Sequence, residues 1–272
     1  MPDSRAIEIR IDDLHKSFND HPVLSGVTLE IHRGDLTAIV GGSGCGKTVL
    51  LKHILRQVQP DRGRVLIADH ERPDHGLVDI TDLTEEEMDR LRTHWAVVFQ
   101  RNALFSGTVF ENIALWFREV KGLTEAEIRP IAVEALESVG FKDIDSLLNK
   151  DRDELSGGMA KRVAVARALS MDPILMFYDE PTTGLDPTHA GQIHQLIFET
   201  HQRPCREATP RTTVIITHDK DLLYRLQPRI IMLHEGRVFF DGTYEQFEQS
   251  DSEIIHPYFD LMPILNRRSM PA

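Results

Sequence analysis

Only two cysteines occur in the 272 residues, Cys45 and Cys205, in unlike contexts and without metal-ligand spacing. Neither a disulfide framework nor a zinc site is indicated, and both thiols are expected to be free. The thirteen histidines do not alter this, because His70, Glu71 and His75 miss the i, i+4 spacing of a helical zinc pair and no third ligand stands out. No apolar run approaches the roughly 20 residues that cross a bilayer as a helix, and the opening Met1-Pro2-Asp3-Ser4-Arg5 lacks the apolar core of a secretory signal. The chain is expected to stay in the cytoplasm. Excess positive charge is missing as well: a net charge of -12 argues against a sequence-independent grip on nucleic acid, so nucleic acid is not an expected partner. Internal repeats and low-complexity segments are also absent from the sequence.

What is present is material for a real core, with 41% hydrophobic residues over a length that suits one large domain or two small ones. Ile7 to Leu14 and Val23 to Ile31 alternate apolar residues between turn signals at Asn19-Asp20 and Arg33-Gly34, which predicts antiparallel strands. From Asp35 the pattern changes. Short apolar runs (Leu36 to Val40, Ala96 to Phe99, Ile174 to Tyr178, Thr213 to Thr217) alternate with helical stretches, the pattern of a buried parallel sheet with crossover helices. Thr84 with Glu87, Thr124 with Glu127, and Thr243 with Gln246 read as capping boxes. Between Thr108 and Leu155 helical periodicity takes over, predicting an inserted helical subdomain. After Asp219 a helix, a hairpin at Glu235-Gly236 and another helix are expected. The reading is one domain over residues 1–251 and a tail over 252–272.

Gly41-Gly42-Ser43-Gly44-Cys45-Gly46-Lys47-Thr48 fits G-x-x-x-x-G-K-[ST] between a predicted strand and a predicted helix. Glycines let backbone N–H groups curl around phosphate oxygens, the helix N-terminus adds positive potential, Lys47 suits the β/γ-phosphates and Thr48 offers its hydroxyl to Mg²⁺. Asp179 and Glu180 end a buried strand, at the edge where open α/β sheets place ligands. Asp179 suits Mg²⁺, directly or through water, and Glu180 suits the base that polarises an attacking water. Cys45 has two readings: a thiol made nucleophilic by the loop's positive potential, or a small apolar filler behind it.

Leu155-Ser156-Gly157-Gly158-Met159, running into Ala160-Lys161-Arg162-Val163-Ala164-Val165-Ala166-Arg167-Ala168, forms a second candidate anion nest before an Ala-rich helix. This string closely resembles the signature motif of the ABC (ATP-binding cassette) family, and the resemblance covers about Ile7 to Phe247. It implies an α/β P-loop NTPase core of ABC type, with an N-terminal antiparallel β subdomain and an inserted α-helical subdomain over about 108–155. It also implies ATP with Mg²⁺, and a second copy paired head to tail so that Ser156, Gly157 and Gly158 serve the ATP held by the opposite subunit. Gln100 matches the glutamine that touches Mg²⁺ or water and relays motion to the helical subdomain; His218 matches the switch histidine at the γ-phosphate. Asp186, in Gly184-Leu185-Asp186-Pro187, matches the aspartate that communicates across the dimer. Phe18 stands where the family keeps an adenine-stacking aromatic, although an aromatic there equally suits core packing.

Within the family, Met159-Ala160-Lys161-Arg162, Ala103 to Asn112, and Gly41-Gly42-Ser43 followed by Val49-Leu50-Leu51-Lys52-His53 look like the ATPases of MCE-linked Mla phospholipid transporters of Gram-negative bacteria. That resemblance implies a role on the cytoplasmic face of the inner membrane, powering phospholipid movement between the inner and outer membranes. Its expected partners are a transmembrane permease at about Gln100 to Asn112, an MCE-domain lipid carrier and a STAS-domain subunit. The alternative is the ATPase of a solute importer. Non-transport ABC proteins ordinarily show two tandem cassettes or a long heptad insertion, and neither occurs in the sequence. A non-hydrolysing regulatory module would be expected to lose Glu180. The polar segment Gln202 to Pro210 has no assigned role.

Overall fold

The computed structural model describes residues 6–100, 104–205 and 209–256. The tail from 257 onward and residues 206–208 of the polar loop lie outside them. The alternating start of the chain builds β1 (Ile7–Phe18) and β2 (His21–His32), joined by Asn19-Asp20 with φ of 48° and 63°. Two left-handed residues are what a tight hairpin between right-twisted strands demands. Then follow β3 (Leu36–Gly41), α1 (Lys47–Ile54), β4 (Arg62–Ala68), β5 (Leu77–Asp79), α2 (Glu85–Arg92) and β6 (Trp95–Val98). From there to residue 170 the named elements are helical: α3 (Val109–Lys121), α4 (Glu125–Ser138), α5 (Ile144–Leu148) and α6 (Gly157–Ser170). The chain continues through β7 (Leu175–Asp179), α7 (Pro187–Gln202), β8 (Thr212–Ile216), α8 (Lys220–Leu226), β9 (Arg229–His234), β10 (Arg237–Gly242) and α9 (Tyr244–Glu248).

Thr84, Thr124 and Thr243 start α2, α4 and α9, and each backbone N–H donates to the Glu or Gln three residues on, at 2.8, 2.8 and 2.9 Å. Two further boxes went unread in the sequence, Thr108 with Glu111 and Asp151 with Glu154, each closing at 2.7 Å. An isolated bridge pairs Thr108 with Asp151, tying the start of α3 to the turn before α6.

The sheets are an antiparallel one, β2-β1-β4-β5, and a six-stranded one, β10-β9-β3-β8-β7-β6. In the second, β9, β3, β8, β7 and β6 pair in parallel and β10 closes one edge antiparallel to β9. Parallel strands need both faces covered, and the period-2 alternation divides their side chains between two cores. Ala38, Val40, Met176, Tyr178, Ile215, Ile230 and Met232 face the helices α3–α7, while Ile39, Leu175, Phe177, Val214, Ile216, Ile231 and Leu233 face α1 and the antiparallel sheet. β4 and β5 were not anticipated. β4 opens on the exposed Arg62-Gly63-Arg64 before the short, largely buried apolar run Val65 to Ala68, and β5 is three half-buried residues. Ile255, at the start of the expected tail, is 1% exposed and packs into the helix-side core.

Candidate active site

The carboxyl ends of β3, β7 and β8 share one edge of the parallel sheet, where the loop Gly41 to Thr48, Asp179, Glu180 and His218 follow the strands. Gly41 ends β3 and Lys47 begins α1. Between them Gly46 holds φ of 105°, and a Cβ there would lie 2.7 Å from Leu24 Cδ2, so the loop closes onto α1 only with glycine at that position. The Lys47 ammonium donates to the carbonyl oxygens of Gly41 at 2.8 Å and Gly42 at 3.1 Å. Gly42, Ser43, Gly44 and Thr48 are exposed. Cys45 is half-buried with its sulfur 4.0 Å from Lys47 Nζ.

Asp179 is the last residue of β7 and is 9% exposed. Burial, then the neighbouring Glu180 charge, push its carboxyl above the usual carboxylate range, against the opposing pull of Lys161, Lys47 and Lys52. Glu180 turns the chain with φ of 48°, a left-handed conformation that costs a residue bearing a Cβ about 1 kcal/mol. Its N–H donates to Ile216 O at 2.8 Å, and its carboxylate reaches His218 Nδ1 at 2.8 Å. The strained turn therefore aims Glu180 sideways from β7 to the end of β8. His218 is 65% exposed.

Behind this pair lies a buried support that the sequence reading missed. Asp219 accepts from the Thr182 hydroxyl at 2.6 Å and bonds His194 Nε2 at 2.9 Å, and its other oxygen caps α8 through Leu222 N–H. Burial alone would raise the Asp219 carboxyl, but His194 and Thr182 outweigh it and hold it at about 2. Three elements thus fix the backbone beside His218. The signal was there: His194 sits on the buried stripe of α7 with Ile193, Leu196 and Ile197.

The second group surrounds the start of α6. Ser156 caps this helix, its hydroxyl accepting from Met159 N–H at 3.3 Å. Gly158 is buried because the His189 ring lies on it; a Cβ there would stand 2.7 Å from His189 Cδ2. Asp186 caps α7 through the N–H groups of Thr188 and His189, and its second oxygen bonds His189 Nδ1. The His189 hydrogen bond holds the Asp186 carboxyl below its usual range. Signature glycine, His189 and Asp186 are thus one contiguous surface. Gly157 is exposed beside it.

Gln100 is exposed, two residues beyond β6, and its carbonyl accepts from Lys161 Nζ at 2.8 Å. Phe18 ends β1 at 44% exposure with the Lys16 ammonium 5.5 Å from its ring centroid, so it does not serve the core. As possible holders of Mg²⁺, the Thr48 hydroxyl, the Gln100 amide and the Asp179 carboxylate form an all-oxygen set, the hard donors this ion takes. The residues fit, because a divalent cation would stabilise the ionised Asp179 that burial and Glu180 disfavour. Among the described residues no group of three His, Cys, Asp or Glu could hold a metal by itself, and no helix is long and apolar enough to cross a membrane.

A sequence profile described as ABC transporter matches residues 24–183. The chain is 35% identical to the intermembrane phospholipid transport system ATP-binding protein MlaF of Haemophilus influenzae, over 89% of this chain and 86% of that one. It is 33% identical to the histidine/lysine/arginine/ornithine transport ATP-binding protein HisP of Escherichia coli, over 88% and 91%. Among solved structures, a bacterial ABC transporter cassette in dimeric form superposes with a TM-score of 0.73 at 29% identity, covering 87% of this chain and 98% of that chain.

Proposed function

The chain belongs to the ABC transporter family and is an ATPase that couples ATP hydrolysis to transport, and from that premise we propose that it powers phospholipid movement between two membranes. ATP is its substrate, and cassettes of this family work in pairs with a transmembrane partner. The proposed site is composite. Lys47 and the loop Gly41 to Thr48 hold the phosphates of one ATP; Ser156, Gly157 and Gly158 of the second copy close on them, with Asp186 beside. Phe18 offers its exposed ring to the adenine. Thr48, Gln100 and Asp179 would hold Mg²⁺, which when bound neutralises phosphate charge.

In this reading Glu180 accepts the proton of the attacking water and His218 faces the γ-phosphate. The observation that carries it is the 2.8 Å contact between Glu180 and His218, made by a strained turn at the edge where β3 runs into the loop before Lys47. Carboxylate and imidazole hold each other in orientation, and the Thr182-His194-Asp219 network keeps the histidine loop from shifting. Side chains oriented by hydrogen bonds within the chain favour electrostatic stabilisation of the transition state with little reorganisation.

The lipid substrate is supported by the likeness to MlaF and by Met159-Ala160-Lys161-Arg162. Phe105, at 54% exposure, offers a permease an apolar contact within Gln100 to Asn112, of which residues 101–103 lie outside the described structure. An MCE-domain carrier, a STAS-domain subunit and a place on the cytoplasmic face of the inner membrane belong to the same proposal. The likeness to HisP favours a second reading, a solute importer. Purification of the chain from native membranes with its partners separates the two. An MCE-domain protein and ATPase stimulation by phospholipid support the first reading; a periplasmic solute receptor in its place overturns it.

A further inference from the structure

Helix α6 is built from small apolar residues, with Val163, Ala164, Val165, Ala166 and Ala168 all buried, yet its second turn carries Lys161 at 1% exposure. Burying an ammonium costs several kcal/mol unless other groups compensate, and packing alone would be served by methionine. The compensation is specific. Lys161 Nζ donates to Phe99 O at 3.1 Å and Gln100 O at 2.8 Å, two carbonyls that have just left the end of β6. Burial still lowers the lysine to about 8, with Asp179 working in the opposite direction. The same helix reaches the far side of that segment, where the Arg167 guanidinium lies 5.2 Å from the Phe105 ring centroid. Arg152, in the turn leading into α6, donates to Leu104 O at 2.9 Å. Three cations from one helix and its approach thus hold the chain on both sides of residues 101–103.

From this we propose that Lys161 is a positioning residue which makes the Gln100 backbone and the Ser156-Gly158 nest move as one body. The inference rests on the composite-site reading above. Gln100 belongs to the nucleotide of its own chain and the nest to the nucleotide of the paired copy, so a strut between them links the two sites. An α-helix is stiff over the short stretch between Ser156 and Lys161, and the two hydrogen bonds transmit a shift of either end. Arg152 bonds Leu104 O and Arg167 lies against the Phe105 ring, both beyond Gln100, whereas Lys161 grips the Gln100 carbonyl itself.

The test uses the chain assembled with its native membrane partners, in wild type, Lys161→Met, Lys161→Arg and Glu180→Gln. Lys161→Met fills the same volume and leaves both carbonyls without the ammonium; Lys161→Arg keeps two donors. The expected result for Lys161→Met is ATP affinity within about twofold of wild type and kcat lowered roughly tenfold or more. Lys161→Arg should recover about half the rate or better. In wild type, hydrogen exchange in peptides covering 95–100 and 156–162 should respond to ATP with one shared concentration dependence, and in Lys161→Met the two responses should separate. The proposal is overturned by wild-type kcat in Lys161→Met, by equal losses of affinity and kcat, or by wild-type peptides that respond at different ATP concentrations. The last measurement still decides the matter if Lys161→Met does not assemble. Normal turnover in Glu180→Gln would instead remove the site reading beneath it.

Discussion

Cys45 and Cys205 differ in their surroundings, one half-buried and one buried. Cys205 is 6% exposed, its thiol bonds Pro173 O at 3.0 Å, and burial pushes it above the usual thiol range, so it is expected to be inert until the chain unfolds. Cys45 is half-buried beside Lys47, which retains both earlier readings: reactive sulfur and apolar filler. Comparison with Cys205 therefore says little, and nucleotide protection becomes the informative measurement. Maleimide labelling followed by peptide mass should modify Cys45 in the folded chain, and Mg-ATP should slow it; labelling indifferent to nucleotide would leave only the filler role. Lys161 offers a second test at this scale. With its folded value near 8 against an ordinary 10.5, the folded chain binds fewer protons than the unfolded chain between those limits. Below that window the buried charge opposes folding in full, and the penalty is relieved as pH rises through it, so wild type should gain stability relative to Lys161→Met between about pH 7.5 and about pH 9.5. Unfolding midpoints of the two proteins at both pH values check this, and a constant difference contradicts it.

At the scale of elements, α6 and α7 approach closely at Gly158, on which the His189 ring lies. Gly158→Ala would place a methyl 2.7 Å from the His189 ring, and the ring cannot retreat without releasing Asp186. The variant should lose roughly 1–3 kcal/mol of stability and most of its ATP turnover. Adding His189→Ala should restore much of the stability by opening the space, measured by denaturant unfolding; equal stability of the single and double variants would deny the contact. Elements of this kind were unevenly legible. Four parallel strands, β3, β6, β7 and β8, could be read to within a residue because each carries its own apolar run, and the Thr-x-x-Glu or Gln caps because they are local; β9 entered only through the hairpin at Glu235-Gly236. β4 was passed over although Val65 to Ala68 is apolar, and β5, three residues long, takes its strand character from pairing with β4, a tertiary effect. Asp151 with Glu154 escaped notice because it opens a single turn and not a long periodic run. For the site, motif order gave Lys47, Asp179, Glu180 and His218, whereas Thr182 and Lys161 are buried polar residues that spacing alone does not reveal, and His194 shows only through its place on the buried stripe of α7.

For the whole molecule, two cores on either face of one parallel sheet make a frame on which the phosphate loop, the acidic strand end and the histidine loop share an edge, while the signature nest and Asp186 form their own surface. A nest that serves another copy requires pairing, and pairing should be nucleotide-driven. Replacing Ser156 with arginine should abolish turnover while leaving ATP binding to the chain's own loop within about threefold of wild type, as checked by nucleotide titration. Most direct is sedimentation of the Glu180→Gln chain with and without Mg-ATP, alongside its ATPase rate. The account predicts a monomer that becomes a dimer only with Mg-ATP, without turnover, and that stays monomeric when Ser156→Arg is added. A Glu180→Gln chain that remains monomeric with bound Mg-ATP, or that hydrolyses it at the wild-type rate, would contradict the composite site.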